Sequence, residues 1–245
     1  NLAWLRAYPK DPNGPGTPPD LVNRGPASCP ETTYSFEMGD VHVAVLNLYC
    51  DATGAAATDG DVSDALYAWL ADDLAATEAA HRFVVGHEPA YPQPDAASGR
   101  LRHLGDSLDQ YPAHRDRFWS LLAEEQVTAY VCGHTHGTSA TRIDGVWQLD
   151  VGHSAGMGDS GARSTFLRVT VDDDGVAYET YRSTHEEPCD YRLYQRWVNA
   201  GPPETMELQA LEVVNTPATV WGWAFGGVGL TLASLVGVSL RRRYG

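Results

Sequence analysis

Two short apolar runs in this chain break off at a glycine followed by a histidine, and that shared ending constrains the fold more than any other feature. VTAYV stops in VCGHTHG, Val131 to Gly137, where two histidines are separated by one residue. RFVVGHEPAY, Arg82 to Tyr91, stops the same way at Gly86 and His87, and Pro89 blocks any regular continuation. Either run alone also reads as a strand entering an ordinary turn. Together they predict an α/β sheet with a ligand site at its rim, because ligands collect beyond the carboxyl ends of strands and neutral imidazole is a common metal ligand. His87, His134 and His136 are the candidate metal-binding set.

The rest of the chain supplies elements for such a sheet. YSFEM and VHVAVLNLY alternate around Gly39 and Asp40 and predict a hairpin, and VSDALYAWLADDLAATEAA has helical spacing with Asp61 or Ser63 as its cap. PQPDAASGRLRHLGDSLDQYP, following His87, reads as a long loop walling a substrate cleft, with His103 and Asp106 as solvated loop residues outside the metal set. A helix from about His114 to Glu125 leads into VTAYV, and TRIDGVWQLDV, STFLRVTVD and GVAYETYRS follow as strands. Helix and strand alternate first and strand dominates later. With 43% hydrophobic residues over 245 positions, this fits one α/β domain with a sizeable core.

From about Tyr34 to Arg182 the chain resembles a calcineurin-like metallophosphoesterase, whose later motifs are a histidine in a V-x-G-H-x-P-x-Y setting and a terminal G-H-x-H. The resemblance implies two packed sheets flanked by helices and a phosphoesterase acting on phosphate mono- or diesters. It further implies two transition-metal ions, iron, zinc or manganese, with the counterparts of His87 and His134 on one and that of His136 on its neighbour. The family's earlier D-x-H, G-D-x-x-D and G-N-H-D or G-N-H-E motifs do not occur in the sequence. GDVHV imitates the first, but it belongs to the hairpin, and His42 is read as structural. With Asn1 as first residue, the expectation is a carboxyl-terminal portion of a longer protein that carries the remaining catalytic groups. The portion alone would then be inactive. Residues 1–30, dense in proline and glycine, are the expected irregular connection to that missing half, 31–187 the phosphoesterase-like domain, and 188–212 a polar tether ending in residues 213–245.

From Val213 to Leu240 no residue is charged, and Val220 to Leu240 is followed at once by Arg241, Arg242 and Arg243. About 20 helical residues at 1.5 Å each match a bilayer's hydrocarbon thickness. The sequence therefore predicts a transmembrane helix from Val220 to Leu240. Trp221 and Trp223 would lie in the interfacial belt, the arginines on the cytoplasmic side and the domain outside. Gly222 and Gly226 form a G-x-x-x-G pair that would let two such helices associate weakly. The tail also resembles bacterial sorting tails, with TPAT in the motif position. A membrane-anchored binding or scaffold module without catalysis is the alternative function.

The formal charge of −15 argues against a polyanionic partner, and no nucleic-acid binding is expected, since no basic stripe with interleaved aromatics offsets the field. Cys29, Cys50, Cys132 and Cys189 are too dispersed for a C-x-x-C motif. They read as core thiols or disulfides, with a Cys29 to Cys50 bridge among three possible pairings in an exported domain. GHSAG, Gly152 to Gly156, matches a serine-hydrolase elbow around Ser154. The elbow must turn into a helix, whereas MGDSGARSTF is turn-rich and leads to a strand, and His185 lacks a triad acid. His153 reads by default as a loop donor, with a place near the metals, behind a ligand or facing substrate, as the alternative.

Overall fold

The structure is a computed structural model that describes residues 21–30, 32–50, 60–153, 164–183, 191–199 and 237–240. Its architecture is mixed α/β, in three layers. The central sheet has the order β1-β2-β3-β4-β5-β7-β6. Its strands are β1 (Leu21–Arg24), β2 (Tyr34–Met38), β3 (Val41–Val45), β4 (His81–Val85), β5 (Ala129–Cys132), β6 (Thr138–Ile143) and β7 (Val146–Val151). β3, β4, β5 and β7 run parallel, and the remaining neighbours are antiparallel.

Helices α1 (Asp64–Ala76) and α2 (Pro112–Glu124) cover one face. Ser63 caps α1, its hydroxyl accepting from the Leu66 amide at 3.3 Å, and α2 begins at Pro112, where a missing amide hydrogen costs nothing. Leu66, Leu70 and Leu74 of α1 and Phe118, Trp119 and Leu122 of α2 are fully buried against Ala44, Val84 and Tyr130 of the sheet. The i, i+4, i+8 leucine spacing of α1 puts all three on one stripe.

A second sheet, with strands in the order Tyr191–Asn199 (β10), Gly175–Ser183 (β9), Thr165–Asp172 (β8) and Gly237–Leu240 (β11), covers the other face. β8 (Thr165–Asp172) and β9 (Gly175–Ser183) bury alternate residues, as a strand with one wet face must. Leu167, Val169, Val171, Val176 and Tyr178 meet Val41, Val43, Phe83, Ala129, Val131, Leu149 and Val151 of the central sheet. β10 (Tyr191–Asn199) extends this sheet. The parallel strands of the central sheet are thus buried on both faces, which is why a strand such as β5, AYVC, reads as a continuous hydrophobic run.

Three sequence expectations need adjustment. Leu21–Arg24, inside the stretch expected to be irregular, pairs with β2 as an edge strand. Tyr191–Asn199, placed in the polar tether, is strand β10. Most of the expected membrane helix lies outside the described residues, but its last four, Gly237–Leu240, are strand β11, paired parallel with β8, so the helix does not reach Leu240. Among the described residues no helix is long and apolar enough to cross a membrane.

Candidate metal centre

Three neighbouring parallel strands end in the same dipeptide. β4 runs into Gly86-His87, β5 into Gly133-His134 and β7 into Gly152-His153. Backbone pairing continues past the strand ends, with Gly86 N donating to Val131 O at 3.0 Å and Gly133 N to His87 O at 2.9 Å. The imidazoles are therefore positioned by the ladder itself. Gly86 is required by a close approach, since a Cβ there would collide with the Tyr130 hydroxyl, which donates to Glu88 O at 2.6 Å. Gly152 is required by its φ of +86°.

The H-T-H loop folds around Thr135. Its hydroxyl donates to Asp150 Oδ2 at 2.5 Å and accepts from Gly137 N at 3.0 Å. His134 and His136, on either side, both adopt the left-handed region, at φ 66° and 58°. His103, on the loop after β4, is also left-handed, at φ 58°. Of the five non-glycine residues with positive φ among those described, three are histidines of this cluster. Such conformations persist only where the surroundings enforce them.

The rings form a continuous series. Centroids are 5.0 Å apart for His87 and His134, 4.1 Å for His134 and His103, 6.5 Å for His103 and His136, and 4.6 Å for His136 and His153. His134 Nδ1 lies 3.2 Å from His87 Nε2. His136 stands slightly apart, with Arg102 Nη1 donating to its Nδ1 at 3.1 Å. The structure thus brings His87 and His134 into contact and sets His136 beyond them, against His153 and Arg102.

Two loop residues set aside at the sequence level belong to the cluster. His103 packs on His134, and Asp106 Oδ2 lies 3.2 Å from His103 Nδ1. The reading of both as merely solvated is corrected: Asp106 remains exposed, but it accompanies His103 onto the site. Nothing local marks them, because their arrival depends on how a long loop folds back. His153 did have a signal, a third Gly-His after an apolar run. Ser154 and His185 lie outside the described residues, and the next element described after β7 is strand β8 rather than an elbow helix.

The electrostatics suit cation binding. Burial, reinforced by the neighbouring His103 and His87, lowers the His134 pKa to about 4, so its ring is neutral at physiological pH. Its Nε2 is buried and has no hydrogen-bond partner among the described residues. Burial pushes the Asp150 carboxyl up to about 8 against the hydrogen bonds from Thr135 and Gly152 N. The imidazoles together with the Asp106 carboxylate fit zinc, iron or manganese better than calcium. The residues present therefore fit a transition-metal ion.

His42 lies away from this rim, fully buried on β3, its Nε2 2.9 Å from Asp73 Oδ2 and its Nδ1 3.2 Å from Glu37 Oε1. Cys29 and Cys50 form a disulfide, and Cys132 is a buried free thiol.

No protein-family model and no curated protein matches the chain. Among solved structures it is similar to PhoD, at 14% identity and a TM-score of 0.46 over 75% of this chain and 44% of that one. It is also similar to GAP50, the anchor in the inner membrane complex of Plasmodium, at 12% identity and a TM-score of 0.39 over 80% and 64%. A third is purple acid phosphatase PPD1 from yellow lupin (Lupinus luteus) seeds, at 12% identity and a TM-score of 0.36 over 69% and 31%. The chain spans less than half the length of PhoD.

Proposed function

We propose that this chain belongs to a metal-dependent phosphoesterase of the calcineurin-like kind and contributes the histidine half of its centre. The observation that carries the reading is the convergence of Gly-His ends from three adjacent parallel strands, with their rings in series. His87 and His134 would hold one ion and His136 its neighbour, iron, zinc or manganese. Bound ions of this type polarise a phosphoryl oxygen and lower the pKa of water into the neutral range. The chain's own residues do the rest. Burial keeps His134 unprotonated, so its ring nitrogen is available without a competing proton. Thr135 fixes the spacing of His134 and His136 through Asp150 and Gly137. Arg102 places a fixed positive charge beside His136, in a chain of net charge −15 that would otherwise repel an anionic ester.

The test is hydrolysis of p-nitrophenyl phosphate and bis-p-nitrophenyl phosphate with Mn²⁺ or Zn²⁺, by the 245-residue chain and by the longer protein expected to contain it. Negligible turnover by the chain and turnover by the longer protein that His134→Ala abolishes would support the reading. A metal-loaded longer protein inert on both esters would end it. A second reading, a binding module without catalysis, is favoured by one observation: the cluster of metal-ligating side chains among the described residues, His103, Asp106 and His134, contains a single carboxylate. The Cys29–Cys50 disulfide supports the placement of the domain outside the cytoplasm, because such bonds persist in oxidising compartments.

A further inference from the structure

We propose that His103, Asp106 and His134 form a cation site to which the loop after β4, and not the sheet alone, supplies two of the three ligands. One ligand atom from each residue lies within 4.8 Å of the other two. His103 and His134 stack at 4.1 Å between centroids, while Asp106 Oδ2 sits 3.2 Å from His103 Nδ1. Two imidazoles and a carboxylate whose donor atoms lie this close can turn their lone pairs toward one ion, a mixed nitrogen and oxygen set that suits zinc-like cations.

The loop is built to hold this geometry. At one end Asp95 accepts from Arg182, Thr138 N, Ser98 N and Ala97 N, and Ala96 N donates to Thr138 O at 2.8 Å. At the other, Asp109 accepts from Gly105 N at 2.7 Å and Ser107 N at 3.1 Å, the Ser107 hydroxyl donates to His103 O at 2.9 Å, and Leu108 N donates to Pro89 O. A partly exposed His–Asp pair contributes little to stability by itself, so it does not account for a left-handed His103 set over a half-buried imidazole. A ligand requirement does account for it, and the buried His134 Nε2 without a hydrogen-bond partner among the described residues points to the same occupant.

The assignment shares His134 with the hydrolytic reading but concerns binding, so it is tested without turnover. Co²⁺ is titrated into the 245-residue chain and its His103→Asn, Asp106→Asn and His134→Ala variants, following visible d–d absorption and calorimetric affinity. Tryptic cutting after Arg100 and Arg102 is followed in parallel by mass spectrometry, with circular dichroism as the check on folding. Expected are a Co²⁺ spectrum in the parent chain, affinity in the two loop variants weaker by more than the roughly tenfold that loss of an outer-sphere partner costs, and metal-dependent protection of the loop that both lose. Loop variants that match the parent in affinity, spectrum and protection, while His134→Ala binds nothing, would overturn the loop's part and leave the phosphoesterase reading standing. Loss of no signal even in His134→Ala would overturn both.

Discussion

His103, His134 and His136 occupy a backbone region that costs an ordinary residue about 1–2 kcal/mol. Asparagine tolerates it better than most, so His103→Asn is expected to change global stability by less than about 0.5 kcal/mol in urea titrations, whatever it does to metal affinity. Gly86→Ala should behave oppositely. Its Cβ would strike the Tyr130 hydroxyl, and a loss of about 1–3 kcal/mol in unfolding free energy is expected. His42 supplies a pH test. Burial alone would lower its pKa, but hydrogen bonds and charge from Asp73 and Glu37 outweigh burial and raise it above 6.5. Protonated His42 therefore stabilises the fold fully below pH 6.5, and the contribution fades as pH rises through the elevated folded value. His42→Gln should accordingly cost more at pH 5.5 than at pH 9 in paired urea titrations. At this scale the sequence was informative where geometry is local: strands that end in Gly-His put His87 and His134 at one rim, with His136 two residues further on. His103 and Asp106 were not legible in this way, since they lie 18 and 21 positions beyond Val85, the end of β4, and loop paths leave no periodic trace.

Among elements, the loop after β4 is joined to the sheets through Asp95. Asp95 and Arg182 form a nearly buried ion pair at 2.6 Å that joins the loop to β9, while Asp95 also accepts from the Thr138 amide of β6. Asp95→Ala would leave Arg182 buried without its counter-charge, at an expected cost of about 3–5 kcal/mol. Burial would raise the Asp95 pKa, yet the amide, hydroxyl and guanidinium donors hold it well below the usual carboxylate range. Its contribution is therefore present above about pH 3.9 and lost as pH falls through the folded value. Acid titration of the parent and Asp95→Asn chains should show the difference between their stabilities shrinking below about pH 4. The helices and most strands were legible from apolar spacing, with α1 and α2 displaced by a few residues at their ends. β1 was hidden inside a stretch rich in proline and glycine, and β11 inside an apolar run long enough for a membrane helix, because pairing partners are chosen by tertiary structure.

For the molecule as a whole, the Cys29–Cys50 bridge closes a segment with a sequence separation of 21, ahead of α1. Chain-entropy arguments assign such a closure about 3 kcal/mol. The Cys29→Ser, Cys50→Ser double variant should therefore melt several degrees below the parent and become insensitive to reductant. Layer order was foreseeable only through family resemblance, because burial on both faces makes a central strand look the same whether helices or a second sheet lie above it. The aligned Gly-His ends of β4, β5 and β7 carry a further consequence. Hydrogen-bonded strands keep a repeat of about 4.8 Å, so the imidazoles inherit their pitch from the main chain. Substitutions on the outer surfaces of α1, α2 and the smaller sheet can accumulate while the nitrogen-to-nitrogen distances stay put.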